Sequence, residues 1–146
     1  MVTRRSRDVR AEIGDVWRLA SDPDHLARWW PATQRVERVS ATGWTSVFTT
    51  PRGRTVRADY QKSHSEPGSV ARWRQELEGT PFARVFARVE YELRLAPSSG
   101  GTVVRLQIDQ RPRGWARLGR LQLRRAAVRR LDDALAGLAA LLEDRE

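Results

Sequence analysis

Cysteine and asparagine are both absent, and Lys62 is the only lysine among 27 basic residues. Without cysteine the chain can form neither a disulfide nor a thiolate zinc site, and a reducing cytoplasm suits it. Losing lysine and asparagine together is a mark of codon bias, so the preference for arginine says little about function. The net charge of +9 is not explained that way. No apolar run approaches the roughly 18 residues of a membrane span. The opening stretch, with Arg4, Arg5, Arg7 and Arg10, lacks the apolar core of a secretory signal. At 146 residues there is room for one domain, 1–146, with a sizeable core and none for a separate catalytic module. A soluble, cytoplasmic protein is the expectation, monomeric or homodimeric.

What is present falls into a clear order. Ile13, Val16, Trp17 and Ala20 have the spacing of one helix face. Ser21-Asp22-Pro23 then stops that helix and starts a second, which ends at Pro31, since Asp22 or Ser21 can cap orphan amides and Pro23 suits the first helical position. From Thr33 to Arg111 alternation of period two dominates, broken by turns at Ala41-Thr42-Gly43, Pro51-Arg52-Gly53, Glu66-Pro67-Gly68, Gly79-Thr80-Pro81 and Ser98-Ser99-Gly100-Gly101. Connections this short make neighbouring strands antiparallel. One face collects Val56, Ala58 and Tyr60, then Ala71, Trp73 and Gln75, then Val85, Ala87, Val89, Tyr91, Leu93 and Leu95, then Thr102, Val104, Leu106 and Ile108. The chain closes on a long helix striped by Val128, Leu131, Leu135, Leu138 and Leu142. Followed backwards, that stripe meets Arg124 and Arg117, so the helix either starts late, kinks near Gly119, or turns those arginines toward the sheet.

The local words Val16-Trp17, Ser21-Asp22-Pro23, Leu26 with Trp29-Trp30-Pro31, Gly79-Thr80-Pro81-Phe82 and Gly101-Thr102-Val103-Val104, in this order of elements, resemble the START-like superfamily. This is the SRPBCC or Bet v 1-like helix-grip group, and the resemblance is strongest to its bacterial polyketide cyclase/dehydrase-like members. It covers essentially the whole chain. The fold it implies is α+β: a curved antiparallel sheet of about seven strands, two short N-terminal helices and a long C-terminal helix that together enclose a cavity. A first strand is then required between Val2 and Val9, where the arginines leave little alternation. Members hold lipids, sterols or polyketides in the cavity, and a minority act on them chemically.

The expected ligand wall follows from inward position: Trp30, Trp44, Tyr60, Trp73, Gln75 and Tyr91 from the aromatic side, Leu131 and Leu135 from the last helix. Plain core packing is the competing reading for each ring, and Trp17 reads as core. The leading expectation is binding of a small hydrophobic ligand, lipid- or polyketide-like. The alternative is a polyketide cyclase, aromatase or dehydratase, which needs an acid or base near a ligand carbonyl. Tyr60 and His64 are its weak candidates. No cofactor or metal is expected: there is no Gly-x-Ser-x-Gly elbow or phosphate-cradling glycine loop, and His25 and His64 are far apart. Arg111, Arg113, Arg117, Arg120, Arg124, Arg125, Arg129 and Arg130 make the densest basic patch. It reads as a solvated face, with contact to anionic lipid or a fatty carboxylate as the next reading. A basic interaction module for acidic partners is a third function, and nucleic acid is not expected because no aromatics interleave the arginines.

Overall fold

Alternation of period two in the middle of the chain becomes one seven-stranded, wholly antiparallel sheet in a computed structural model that describes residues 1–143. Its strands are β1 (Val2–Val9), β2 (Thr33–Glu37), β3 (Gly43–Thr49), β4 (Thr55–Glu66), β5 (Val70–Gln75), β6 (Phe86–Ser98) and β7 (Gly101–Pro112). Their order across the sheet is β1-β7-β6-β5-β4-β3-β2, so every neighbour but β1 follows in sequence and β1 returns to pair with the last strand. Between β1 and β2 lie α1 (Ile13–Ala20), a 3-10 turn at Pro23–His25 and α2 (Leu26–Trp29). The Asp22 carboxylate accepts from the Asp24 amide at 3.0 Å, which caps that turn with Pro23 inside it. The fold is the α+β helix-grip arrangement expected from the sequence, and no helix is long and apolar enough to cross a membrane among the described residues.

The required first strand runs over Val2–Val9, in register with β7 from Val2 opposite Asp109 to Val9 opposite Thr102. Pairing with an interior strand, supplemented by a few buried side chains such as Thr3 and Val9, holds a segment whose own alternation is poor. Arg5 finds Asp132 of the last helix at 2.8 Å.

Two bulges alter the inward faces. β6 carries one extra residue near Ala87, so Phe86 lies opposite Pro112 while Arg88 lies opposite Arg111. Regular alternation puts Val85 and Ala87 inward; the bulge turns both out and points half-buried Phe86 at the core instead. β4 carries an extra residue at Ser63, so Lys62 pairs with Trp73 but His64 pairs with Arg72. His64 therefore leaves the face that Tyr60 occupies.

The last helix, α3 (Arg120–Glu143), starts late, after a 3-10 turn at Gly114–Gly119. That start resolves the irregular stripe: Arg117 and Arg124 are exposed, and Arg124 donates to the Val2 carbonyl at 3.2 Å. Leu131, Leu135, Leu138 and Leu142 are buried as the stripe predicts, whereas Val128 is only half-buried. α3 rests on β1, β7 and α2. Gly137 makes the approach to α2 possible, because a Cβ there would stand 2.7 Å from the Trp29 carbonyl oxygen.

On the outer face, charges are paired. Arg72 and Arg94 reach Glu92 at 2.7 and 3.1 Å, Arg88 reaches Glu90 at 2.9 Å, and Arg35 and Arg57 both contact Glu37. Burial alone would raise the Glu92 carboxyl, but the hydrogen bonds from Arg72 and Arg94 outweigh it and hold it below the ordinary value. The Glu37 carboxyl is lowered by Arg35 and Arg57.

Candidate functional site

Because α3 sits over the β1–β7 side, the concave face of β3, β4 and β5 is left to be filled by rings. Trp44, Tyr60, Trp73 and Tyr91 come from four adjacent strands, and Trp30 joins them from the end of α2. Trp44 stacks on Tyr60 with centroids 5.3 Å apart, and Trp73 stacks on Tyr91 at 5.6 Å. Tyr60 and Trp30 each meet Tyr91 edge-on at 5.8 Å. Trp44 closes the set against Trp73 at 6.0 Å. Such edge and stacked contacts are favourable in themselves. The Trp44 indole N–H is satisfied within the group by Ser46 Oγ at 3.1 Å.

These rings form a partition with a space on each side, where the sequence led us to expect one undivided hollow. The larger space, about 280 Å3, is lined by Trp30, Pro31, Ala32, Phe48, Thr50, Val56, Ala58, Tyr60, Gln75, Phe82, Tyr91 and Arg130. The smaller, about 200 Å3, lies toward α1 and the β4–β5 turn and is lined by Trp17, Leu26, Trp44, Lys62, His64, Arg72 and Trp73, among others. Between them only a sliver of about 10 Å3 remains, bounded by Trp30, Trp44, Tyr60, Trp73 and Tyr91.

The expected wall residues fall into three groups. Trp30, Tyr60, Gln75 and Tyr91 meet in the larger cavity, while Trp44 and Trp73 face the smaller one across the partition. Leu131 and Leu135 line neither cavity: the stripe they belong to is seated in the dry core, at 0 % and 2 % exposure. Trp17, read as core, packs on the core with one side and lines the smaller cavity with the other. Tyr60 and His64 open into different cavities, separated by the bulge in β4. His64 Nε2 lies 3.6 Å from Glu66 Oε1 at the surface.

Sequence reasoning missed Arg130, Phe82 and Ala32. Arg130 sits one residue from the buried Leu131, so the helix directs it to the flank of the stripe, where it is exposed and forms the mouth of the larger cavity. Phe82 belongs to the 3-10 turn Pro81–Arg84, and the Gly79-Thr80-Pro81-Phe82 word was its only signal. Ala32 holds φ at 61°, a left-handed conformation that strains a residue with a Cβ, and it does so on the cavity wall.

The polar side chains that line the larger cavity are Thr50, Tyr60, Gln75, Tyr91 and Arg130, and each can donate a hydrogen bond. Burial pushes the Tyr60 phenol well above its ordinary value; the neighbouring Tyr91 hydroxyl pushes the same way, and the Arg130 guanidinium opposes both. Tyr60 is therefore a neutral hydrogen-bond donor at any physiological pH. With the Arg130 guanidinium and the Gln75 amide, the cavity offers donors to an oxygen-bearing guest, and none of its lining residues is a carboxylate or a histidine. Among the described residues no cluster of His, Cys, Asp or Glu is placed to hold a metal ion.

The family model described as polyketide cyclase / dehydrase and lipid transport matches residues 2–143. Among solved structures, the chain is similar to a START superfamily protein from Mycobacterium smegmatis, at 11% identity and TM-score 0.78 over 99% of each chain. It is also similar to the Zhui aromatase/cyclase from Streptomyces sp. R1128, at 19% identity and TM-score 0.77, covering 99% of this chain and 94% of that one. The di-domain aromatase/cyclase StfQ of the steffimycin biosynthetic pathway aligns at 18% identity and TM-score 0.79, over 99% of this chain and 51% of its own. No curated protein matches the chain. These likenesses fix the fold, and the family match covers nearly every residue: the chain belongs to the polyketide cyclase / dehydrase and lipid transport family.

Proposed function

We propose that the protein binds a small, largely apolar molecule carrying a carbonyl or carboxylate oxygen in the cavity between β3–β5 and the flank of α3. The observation that carries this reading is the lining itself: apolar walls with Thr50, Tyr60, Gln75, Tyr91 and Arg130 as the polar groups available to orient a guest. At about 280 Å3 the space is just below the roughly 300–1,000 Å3 of pockets for drug-sized ligands. A guest of one or two rings, or a short acyl chain, suits it better than an extended polyketide.

A second reading, a cyclase or dehydratase, is favoured by the neutral Tyr60 phenol, which can donate to a ligand carbonyl as negative charge develops on it. Turnover by that route would still need a proton acceptor, and His64, the other candidate, faces the smaller cavity. The cavity walls could then act mainly by folding the substrate.

Native mass spectrometry of the purified chain, followed by a thermal-shift screen of short fatty acids and aromatic carboxylic acids, tests binding. A stabilising ligand whose effect shrinks in Tyr60→Phe and Arg130→Gln supports the reading. Ligands that stabilise the parent and both variants alike would place the guest elsewhere. Loss of turnover in Tyr60→Phe with binding retained would favour the enzyme.

A further inference from the structure

Trp115, Leu118 and Leu121 are the most exposed large apolar side chains in the described protein, at 87%, 79% and 62%. They lie in the 3-10 turn Gly114–Gly119 and at the start of α3, spaced by three. Side chains three apart eclipse one another in a 3-10 turn, so the ring and the two leucines follow one edge of the segment. A tryptophan left this open to water is unusual, because its ring is a large apolar area to hydrate.

Charge around this edge is of one sign. From Gln110 to Leu131 the sequence holds eight arginines and no carboxylate. On the sheet, Arg35, Arg57, Arg72, Arg88 and Arg94 all pair with acids, whereas none of those eight forms an ion pair among the described residues. The aromatic within this basic run is Trp115, which stands between Arg113 and Arg117.

We infer that this segment docks the protein on an anionic bilayer surface, with Trp115, Leu118 and Leu121 at the boundary of headgroups and acyl chains and the flanking arginines on lipid phosphates. Exposed apolar side chains beside unpaired cations are what an interfacial segment requires. Single-stranded nucleic acid would use the arginines but give two leucines no return, and a stacking platform needs more than one ring. A symmetric dimer through the same patch would press two unpaired arginine clusters together. The inference stands apart from what fills the cavity, and its readout involves no cavity ligand.

Co-sedimentation of the full chain with vesicles of phosphatidylcholine alone, and with about a third phosphatidylglycerol, tests it. Binding should require the anionic lipid and weaken as salt rises. Trp115→Ala should lower it, and Arg113→Gln, Arg117→Gln and Arg120→Gln together should lower it by roughly a hundredfold, at about fivefold per charge. Melting temperatures should stay near the parent's, because these side chains are exposed. Equal binding to both vesicle types, or none to either, overturns the proposal on the parent protein alone. So does tighter binding to a single-stranded oligonucleotide than to the vesicles, or a Trp115-dependent dimer that ignores vesicles.

Discussion

The interior has two halves built from different side chains. Under α3, Val9, Val104, Leu106, Ile108, Leu131 and Leu138 are at 1% exposure or less and line no cavity. Away from α3, Trp30, Trp44, Tyr60, Trp73 and Tyr91 are also buried, yet two cavities flank them. Branched aliphatic side chains interdigitate to the density of an organic crystal. Rigid plates meeting at 76°, as Trp30–Tyr91 and Tyr60–Tyr91 do, leave a wedge beside them that no side chain fills. Burial alone therefore does not separate a filled core from a site; the shape of what is buried does.

The largest test of this contrast is a deletion in the filled half. Leu138→Ala should cost about 2–5 kcal/mol, read from denaturant unfolding, because a cavity opens where none existed. A loss well under 1 kcal/mol would mean that this half is looser than its geometry.

Next comes one change made twice. Ala134 on α3 and Ala58 on β4 are both buried, but only Ala58 lines the larger cavity. Ala134→Leu should destabilise by about 1–3 kcal/mol through overpacking, whereas Ala58→Leu should stay within about 1 kcal/mol of the parent by growing into empty space. Equal costs would erase the difference between the halves.

Tyr60→Phe should change stability by about 1 kcal/mol or less and weaken a carbonyl- or carboxylate-bearing ligand by up to roughly tenfold, the worth of one hydrogen bond. Calorimetric titration checks the second number.

The smallest effect lies outside both halves. The Glu37 and Glu92 carboxyls are lowered in the folded protein, so their contribution is present above the ordinary value of 4.5 and fades as pH falls through the lowered range. Arg72→Gln should lower the melting temperature slightly near neutrality and leave it unchanged at the acid end, which flattens the acid limb of a plot of melting temperature against pH.

Much of the fold could be read from periodicity. Thr102, Val104, Leu106 and Ile108 alternate without interruption, and every one is buried. β1 was legible only through the resemblance, since Arg4, Arg5 and Arg7 hide its alternation and its pairing with β7 is a long-range event. The bulges at Ala87 and Ser63 could not be read, because one extra residue leaves composition unchanged while flipping each side chain beyond it. The candidate site was legible as a set of inward rings and not as a partition. Whether Trp44 stacks on Tyr60 depends on sheet curvature, which no single strand encodes. Arg130 was hidden for a different reason: it stood in a crowded basic run, and only the seat of α3 shows which arginine reaches the cavity.

The central claim is that the space beside Ala58 accepts a guest. Titrating the parent and Ala58→Leu with 2-naphthoate, a fluorescent apolar carboxylate of two fused rings, measures this directly. The account predicts one site per parent chain, lost or at least tenfold weaker in the variant. Equal binding by two equally stable proteins would contradict it.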